Sequence, residues 1–158
     1  MTSLVVFESF FGNTEVVARA VAEALGAGGE ARALRVSELE KHHLDGVQLL
    51  VVGSATRAFR PSPGTQAWLR TLAPGKLDGV RVAAFDTRVD VAQVGNRFLT
   101  FMVRLFGYAA EPIEKTLVRA GGEVAGPAAG FIVEDKEGPL REGETDRARA
   151  WARGLLRA

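Results

Sequence analysis

Apolar residues in this chain fall in short runs separated by polar, glycine-bearing breaks, and the period of the pattern changes from run to run. Residues 4–7 (Leu-Val-Val-Phe) are uninterruptedly apolar and read as a buried strand. After a polar loop, Val16, Val17, Ala20, Val21, Ala24 and Leu25 recur at helical spacing. A second strand is predicted over 31–36, and a third over 47–52, whose near-continuous apolar run implies burial on both faces before it ends in Gly53-Ser54. Ser62-Pro63 starts a helix, Ser as N-cap and Pro at the first helical position, which turns Trp68, Leu69 and Leu72 inward. A fourth strand over 80–85 ends at Asp86-Thr87-Arg88. The pattern then predicts a helix over 111–120 with Ile113, Leu117 and Val118 inward, a stop at Gly121-Gly122 and a fifth strand over 128–133. A last helix over 144–156 carries Ala148, Trp151, Ala152 and Leu155 as one stripe.

Strands alternating with helices imply an α/β fold: a five-stranded parallel sheet between two helical layers, a three-layer sandwich, with 2-1-3-4-5 as the simplest strand order. In such sheets ligands bind beyond the carboxyl ends of the strands where the order reverses, here between strands 1 and 3. The loops at those ends are 8–14, 53–61 and 86–91. A response-regulator receiver shares the topology, but it needs an acidic phosphoacceptor at the end of the third strand, where Gly53-Ser54 stands.

The first of these loops carries the clearest chemistry. Ser9, Asn13 and Thr14 supply side-chain donors around Gly12, at the point where a helix leaves its first N–H groups unpaired and presents the positive end of its dipole. A plainer reading is that Ser9 or Asn13 caps the helix and Gly12 makes an ordinary turn, yet three donors and a glycine exceed what one cap requires. The loop lacks the glycines of a G-x-G-x-x-G dinucleotide fingerprint and the Lys of a P-loop. A phosphate held by neutral donors, as in a monophosphate cofactor, suits it better than a nucleoside triphosphate.

Composition narrows the classes. The chain has 158 residues, read as a single domain, and a net charge of +1 with both signs scattered, which leaves no electrostatic footprint for nucleic acid. It has no cysteine, so disulfides and thiolate metal sites are excluded; the adjacent His42-His43 sit in a polar stretch and read as a solvated loop. With neither a signal-peptide pattern nor a long apolar span, the expected location is the cytoplasm. The charged run 134–144 reads as a loop and helix start on the ligand side of the sheet, and secondarily as an acidic docking patch.

The loop Ser9-Phe10-Phe11-Gly12-Asn13-Thr14-Glu15 resembles the phosphate loop of the flavodoxin family, whose common variant ends in Tyr-Gly-Asn-Thr-Glu; strand pattern and helix placement agree over nearly the whole chain. The resemblance implies FMN as cofactor, with Ser9, Phe10, Phe11, Gly12, Asn13 and Thr14 at its phosphate through hydroxyls, the Asn amide and backbone N–H groups. Phe11 replaces the Thr of the commonest form and donates nothing, so one contact must come from backbone or water. The second loop, Ser54, Ala55, Thr56, Arg57, Ala58 and Phe59, corresponds to the segment lining one side of the flavin, where Phe59 either stacks on the ring or packs on the next helix. The third, Asp86, Thr87, Arg88, Val89 and Asp90, corresponds to the segment holding the pyrimidine edge, mainly by backbone groups, without the Tyr that the family usually places over the ring.

Many flavodoxins are strongly acidic, whereas Arg57, Arg60 and Arg88 stand in the flavin loops here. An arginine about 4 Å from the reduced flavin is worth at most a few kcal/mol at an effective dielectric of about 20, which would ease reduction. The alternative is pairing of these arginines with Asp86, Asp90 or solvent. Over 91–108, Phe98, Phe101, Met102, Leu105 and Phe106 make one apolar helical face opposite Arg97, Thr100 and Arg104. Its possible destinations are the core, a dimer surface or flavin lid, or shallow contact with a quinone-bearing membrane. The implied function is electron transfer with a partner protein or a small-molecule acceptor, as monomer or homodimer. The alternative is an FMN-dependent reductase or dehydrogenase acting on a quinone or porphyrin-type substrate beneath that segment.

Overall fold

The computed structural model describes residues 1–56, 60–89, 97 and 108–156. In chain order its elements are β1 (Ser3–Glu8), α1 (Asn13–Leu25), β2 (Ala31–Arg35), β3 (Leu49–Ala55), α2 (Pro63–Leu69), β4 (Arg81–Val89), α3 (Ala110–Arg119), β5 (Glu123–Val124), β6 (Ala129–Val133) and α4 (Glu144–Leu155). Expectations for Arg57, Phe59, Asp90 and the apolar face Phe98 to Phe106 lie outside the described residues.

Strand β1 shows how sequence builds the layers. Leu4, Val5, Val6 and Phe7 are each no more than 3% exposed, because both faces of the sheet are covered. Successive side chains point to opposite faces. Val5 and Phe7 join Leu49, Val51, Ala83 and Phe85 beneath α1 and α4, while Leu4 and Val6 join Leu50, Val52, Val82 and Ala84 beneath α2 and α3. Phe85, Phe131 and Trp151 meet edge-on in the first layer with ring centroids 5.9–6.0 Å apart. Two helical predictions change: Val16 and Val118 are nearly half exposed. Each flanks the inward stripe, and the sheet covers only the arc held by Val17 and Val21 in α1 and by Ile113 and Leu117 in α3.

All strands are parallel, in the order β2-β1-β3-β4, with β5 and β6 both pairing with β4. The fifth position is thus shared by two strands in tandem, β5 against Arg81 and Val82 and β6 against Phe85 to Val89. Gly126-Pro127 separates them, and a proline without N–H cannot continue the ladder. Strands β3 and β4 run further than the apolar pattern suggests. Ser54, Ala55, Asp86, Thr87 and Arg88, expected in loops, are strand residues paired across β3, β4 and β6. Gly53 lies directly opposite Phe85, whose ring would be only 2.0 Å from a Cβ at that position.

Helix α2 begins at Pro63 after Ser62, as predicted, but Ser62 caps nothing. Its hydroxyl joins a buried chain with Ser54 Oγ and Thr65 Oγ1, each link 2.9 Å. The N–H groups of Gly64 and Thr65 donate instead to Glu8 Oε1 at 3.0 and 3.3 Å, so a carboxylate at the end of β1 meets the positive end of α2.

Candidate functional site

A cavity of about 410 Å³ opens beyond the carboxyl ends of β1, β3, β4 and β6, lined by Ser9, Phe10, Phe11, Asn13, Thr14, Ala55, Thr56, Thr87, Arg88, Val89, Val133 and Lys136. The first loop shapes one wall. Gly12 takes φ 90° immediately before α1, a left-handed conformation that favours glycine, and its N–H donates to Ser9 Oγ at 3.1 Å. The first helical hydrogen bond runs from Val16 N–H to the Gly12 carbonyl at 3.0 Å. The N–H groups of Asn13, Thr14 and Glu15 therefore precede the helix's own acceptors at the end where its dipole is positive.

The predicted side chains divide into three groups. Thr14 is buried and shares a 2.7 Å hydrogen bond with Thr87 Oγ1, which ties the first loop to β4. Asn13 Nδ2 donates to the Glu137 carbonyl at 3.0 Å, which ties the loop to the turn after β6. Phe10 and Phe11 stand about half exposed at the rim, and Thr56, with Ala109 N–H donating to its hydroxyl at 3.1 Å, sits on the opposite wall beside Ala55. Ser54 and Asp86 do not line the cavity. Ser54 is fully buried in the Ser62 chain, where its hydroxyl receives the Ser62 N–H at 2.9 Å.

Asp86 is fully buried and receives Arg88 Nε and Nη2 at 2.6 and 2.7 Å and Ala110 N–H at 2.9 Å. Burial is the largest influence on its carboxyl and pushes it above the ordinary range, against the pull of the Arg88 guanidinium and then of the Ala110 N–H. Arg88 also stacks over Tyr108, its guanidinium carbon 3.6 Å from the ring centroid. It spans Gly130, where a Cβ would come within 2.2 Å of the guanidinium.

The sequence profile described as Flavodoxin matches residues 5–151. The chain belongs to the flavodoxin family. FMN is the cofactor of that family, and electron transfer its chemistry. Solved structures agree on the fold. Flavodoxin 2 from Bacillus cereus superposes with a TM-score of 0.77 at 19% identity, covering 98% of this chain and 97% of that one. Flavodoxin 1 from the same organism gives 0.76 at 12% identity, with 99% and 97% covered. A flavodoxin from the domain Archaea gives 0.75 at 15% identity, with 99% and 96% covered. Comparison with curated protein sequences returns no match.

Set beside the flavodoxin pattern, two features of the site stand out. Of the three loop arginines, Arg57 lies outside the described residues, Arg60 is exposed, and Arg88 is engaged by Asp86 and Tyr108. Its charge is thus already opposed at the cavity wall, the pairing that the sequence left as an alternative to easier flavin reduction. Second, Val133 and Lys136 line the cavity without having been singled out in the sequence. Val133 is the last residue of β6 and closes an apolar run that reads only as a buried strand. Lys136 sits in the charged turn after β6, where the visible signal was a single cation among Glu134, Asp135 and Glu137.

Among the described residues no cluster of His, Asp and Glu is arranged to hold a metal ion, and no helix is long and apolar enough to cross a membrane. His42 is exposed, and His43 Nδ1 accepts the Glu40 N–H at 2.9 Å within a short 3-10 turn.

Proposed function

We propose that this chain is an FMN-binding electron carrier of the cytoplasm, exchanging electrons with a partner protein or a small-molecule acceptor. The observation that carries the reading is the cavity at the carboxyl ends of the strands, walled by the N-terminal loop of α1. Its donor set fits a phosphate monoester: the N–H groups that open α1, the Ser9 hydroxyl and the Asn13 amide, whose NH2 has a second hydrogen beyond the one given to Glu137. Thr14 is held toward the sheet by Thr87, so its contribution is to fix the loop and to offer its backbone N–H.

FMN, when bound, supplies the redox chemistry by taking up or giving back electrons. The chain's residues bind and orient it. Phe10, Phe11, Val89 and Val133 give the cavity apolar walls that exclude water, while Ala55, Thr56, Thr87 and Arg88 border it from β3 and β4. No side chain has to act as an acid or base for a carrier of electrons.

The test is direct. Purified protein, stripped of ligand and titrated with FMN, takes up one FMN per chain with quenching of flavin fluorescence and perturbed visible absorption bands. Absence of binding refutes the reading. Sustained turnover of a quinone with a single chemical reductant, without a protein partner, would mark an enzyme instead of a carrier.

A further inference from the structure

The phosphate loop has lost one donor, because Phe11 stands where the family's commonest form has Thr, and it contains no basic residue. The structure brings a cation to the same cavity from a different loop. Lys136 lies three residues beyond the end of β6, and of the charged run that follows this strand it alone lines the cavity that Ser9, Asn13 and Thr14 line. Its position is held. The Asn13 amide donates to the carbonyl of Glu137, the next residue, and Gly138 follows with φ 108°, where a Cβ would approach the Asn13 amide to 2.7 Å. The turn is closed by Gly138 N–H to the Asp135 carbonyl at 2.9 Å and Glu134 N–H to the Pro139 carbonyl at 2.9 Å.

The neighbouring acids are disposed otherwise. Glu134 pairs with Arg141 at 3.3 Å, and Asp135 Oδ1 accepts the Lys136 backbone N–H at 2.7 Å. Among the described residues no carboxylate is paired with the Lys136 ammonium, and its side chain is exposed at the cavity mouth. An ammonium on a flexible stem is a point charge that suits a phosphate dianion and carries no demand for a planar, two-pronged partner.

We propose that Lys136 is a specificity-determining residue, the cation that pairs with the phosphate of FMN and replaces the donor lost at Phe11. The inference rests on the FMN reading above. It makes recognition of the phosphate partly ionic in this chain, delivered across the cavity by the turn that Asn13 clasps.

The experiment is a fluorescence titration of apoprotein with FMN and with riboflavin, which lacks the phosphate, at low and at high salt. It uses the wild type, Lys136→Ala and Lys136→Arg, with circular dichroism confirming that the variants fold. Lys136→Ala is expected to weaken FMN about tenfold at low salt, to leave riboflavin unchanged and to flatten the salt dependence, while Lys136→Arg restores most of the FMN affinity. Inorganic phosphate should compete with FMN for the wild type and less well for Lys136→Ala. Equal losses for FMN and riboflavin, or no loss for either, overturn the role of Lys136 while leaving FMN binding intact. A wild type that binds neither flavin overturns the cofactor reading and this inference with it.

Discussion

Single residues in this fold are fixed by what faces them across the sheet. Gly53 exists so that the Phe85 ring can lie over β3, and a methyl at that point would collide with three ring atoms within 2.4 Å. The Phe85 ring cannot move freely, because Phe131 and Trp151 hold its edges. Gly53→Ala is therefore expected to cost about 1–3 kcal/mol through overpacking, read as a lower urea midpoint with an unchanged slope. Asp86 and Arg88 make a second such dependence. Replacing Arg88 by Gln leaves a buried carboxylate without its cation, at an expected cost of about 3–5 kcal/mol. Without the guanidinium the carboxyl rises further above its ordinary 3.8, so the folded state binds a proton that the unfolded chain has released. Stability is then fullest below the unfolded value and is lost as pH rises through the folded one. The deficit of Arg88→Gln, measured by urea unfolding across a pH series, should grow as pH rises.

At the scale of elements, the joint between β6 and α4 has the opposite sign. Glu144, at the first position of α4, accepts the Ile132 N–H at 2.6 Å and Arg147 Nε and Nη2 at 2.8 and 2.7 Å, while Arg147 also reaches the Gly130 carbonyl and covers Phe131. The Arg147 hydrogen bond, and then that of Ile132, holds the Glu144 carboxyl below its ordinary 4.5. The stabilisation is complete above about pH 4.5 and is lost as pH falls through the lower, folded value. Glu144→Gln should reduce stability at neutral pH by about 1–3 kcal/mol and flatten the acid side of the pH–stability curve.

These joints also explain what sequence could and could not reveal. Strands and helices were legible where apolar residues face a covered surface, as in 4–7 and 49–52, whereas β5, two exposed residues, was not. Boundaries failed where strands continue on polar residues: Asp86, Thr87 and Arg88 remain in β4 because β6 pairs with them, a partner 40-odd residues downstream that no local period encodes. The first loop announced itself because its donors are contiguous. Lys136 did not, because its place in the cavity depends on a long-range clasp between Asn13 and Glu137.

For the molecule as a whole, the cavity joins the ends of four strands, so its occupant should act on global stability. A ligand that binds only the folded state stabilises it by about 2.7 kcal/mol at a hundred times its Kd, which for a domain of this size is a rise in Tm of about 5–10 °C. Excess FMN is expected to produce such a rise by calorimetry, and riboflavin at the same concentration a smaller one.

The Asn13 to Glu137 contact spans 124 residues. A ribosome makes one wall of the cavity more than a hundred residues before it makes the other. The nascent protein must therefore emerge colourless: β1 and α1 can form while synthesis is under way, but a flavin has no complete berth until β6 and its turn have left the exit tunnel. Cofactor loading in this fold is a step of maturation, open to competition from whatever else in the cell takes up free flavin phosphate.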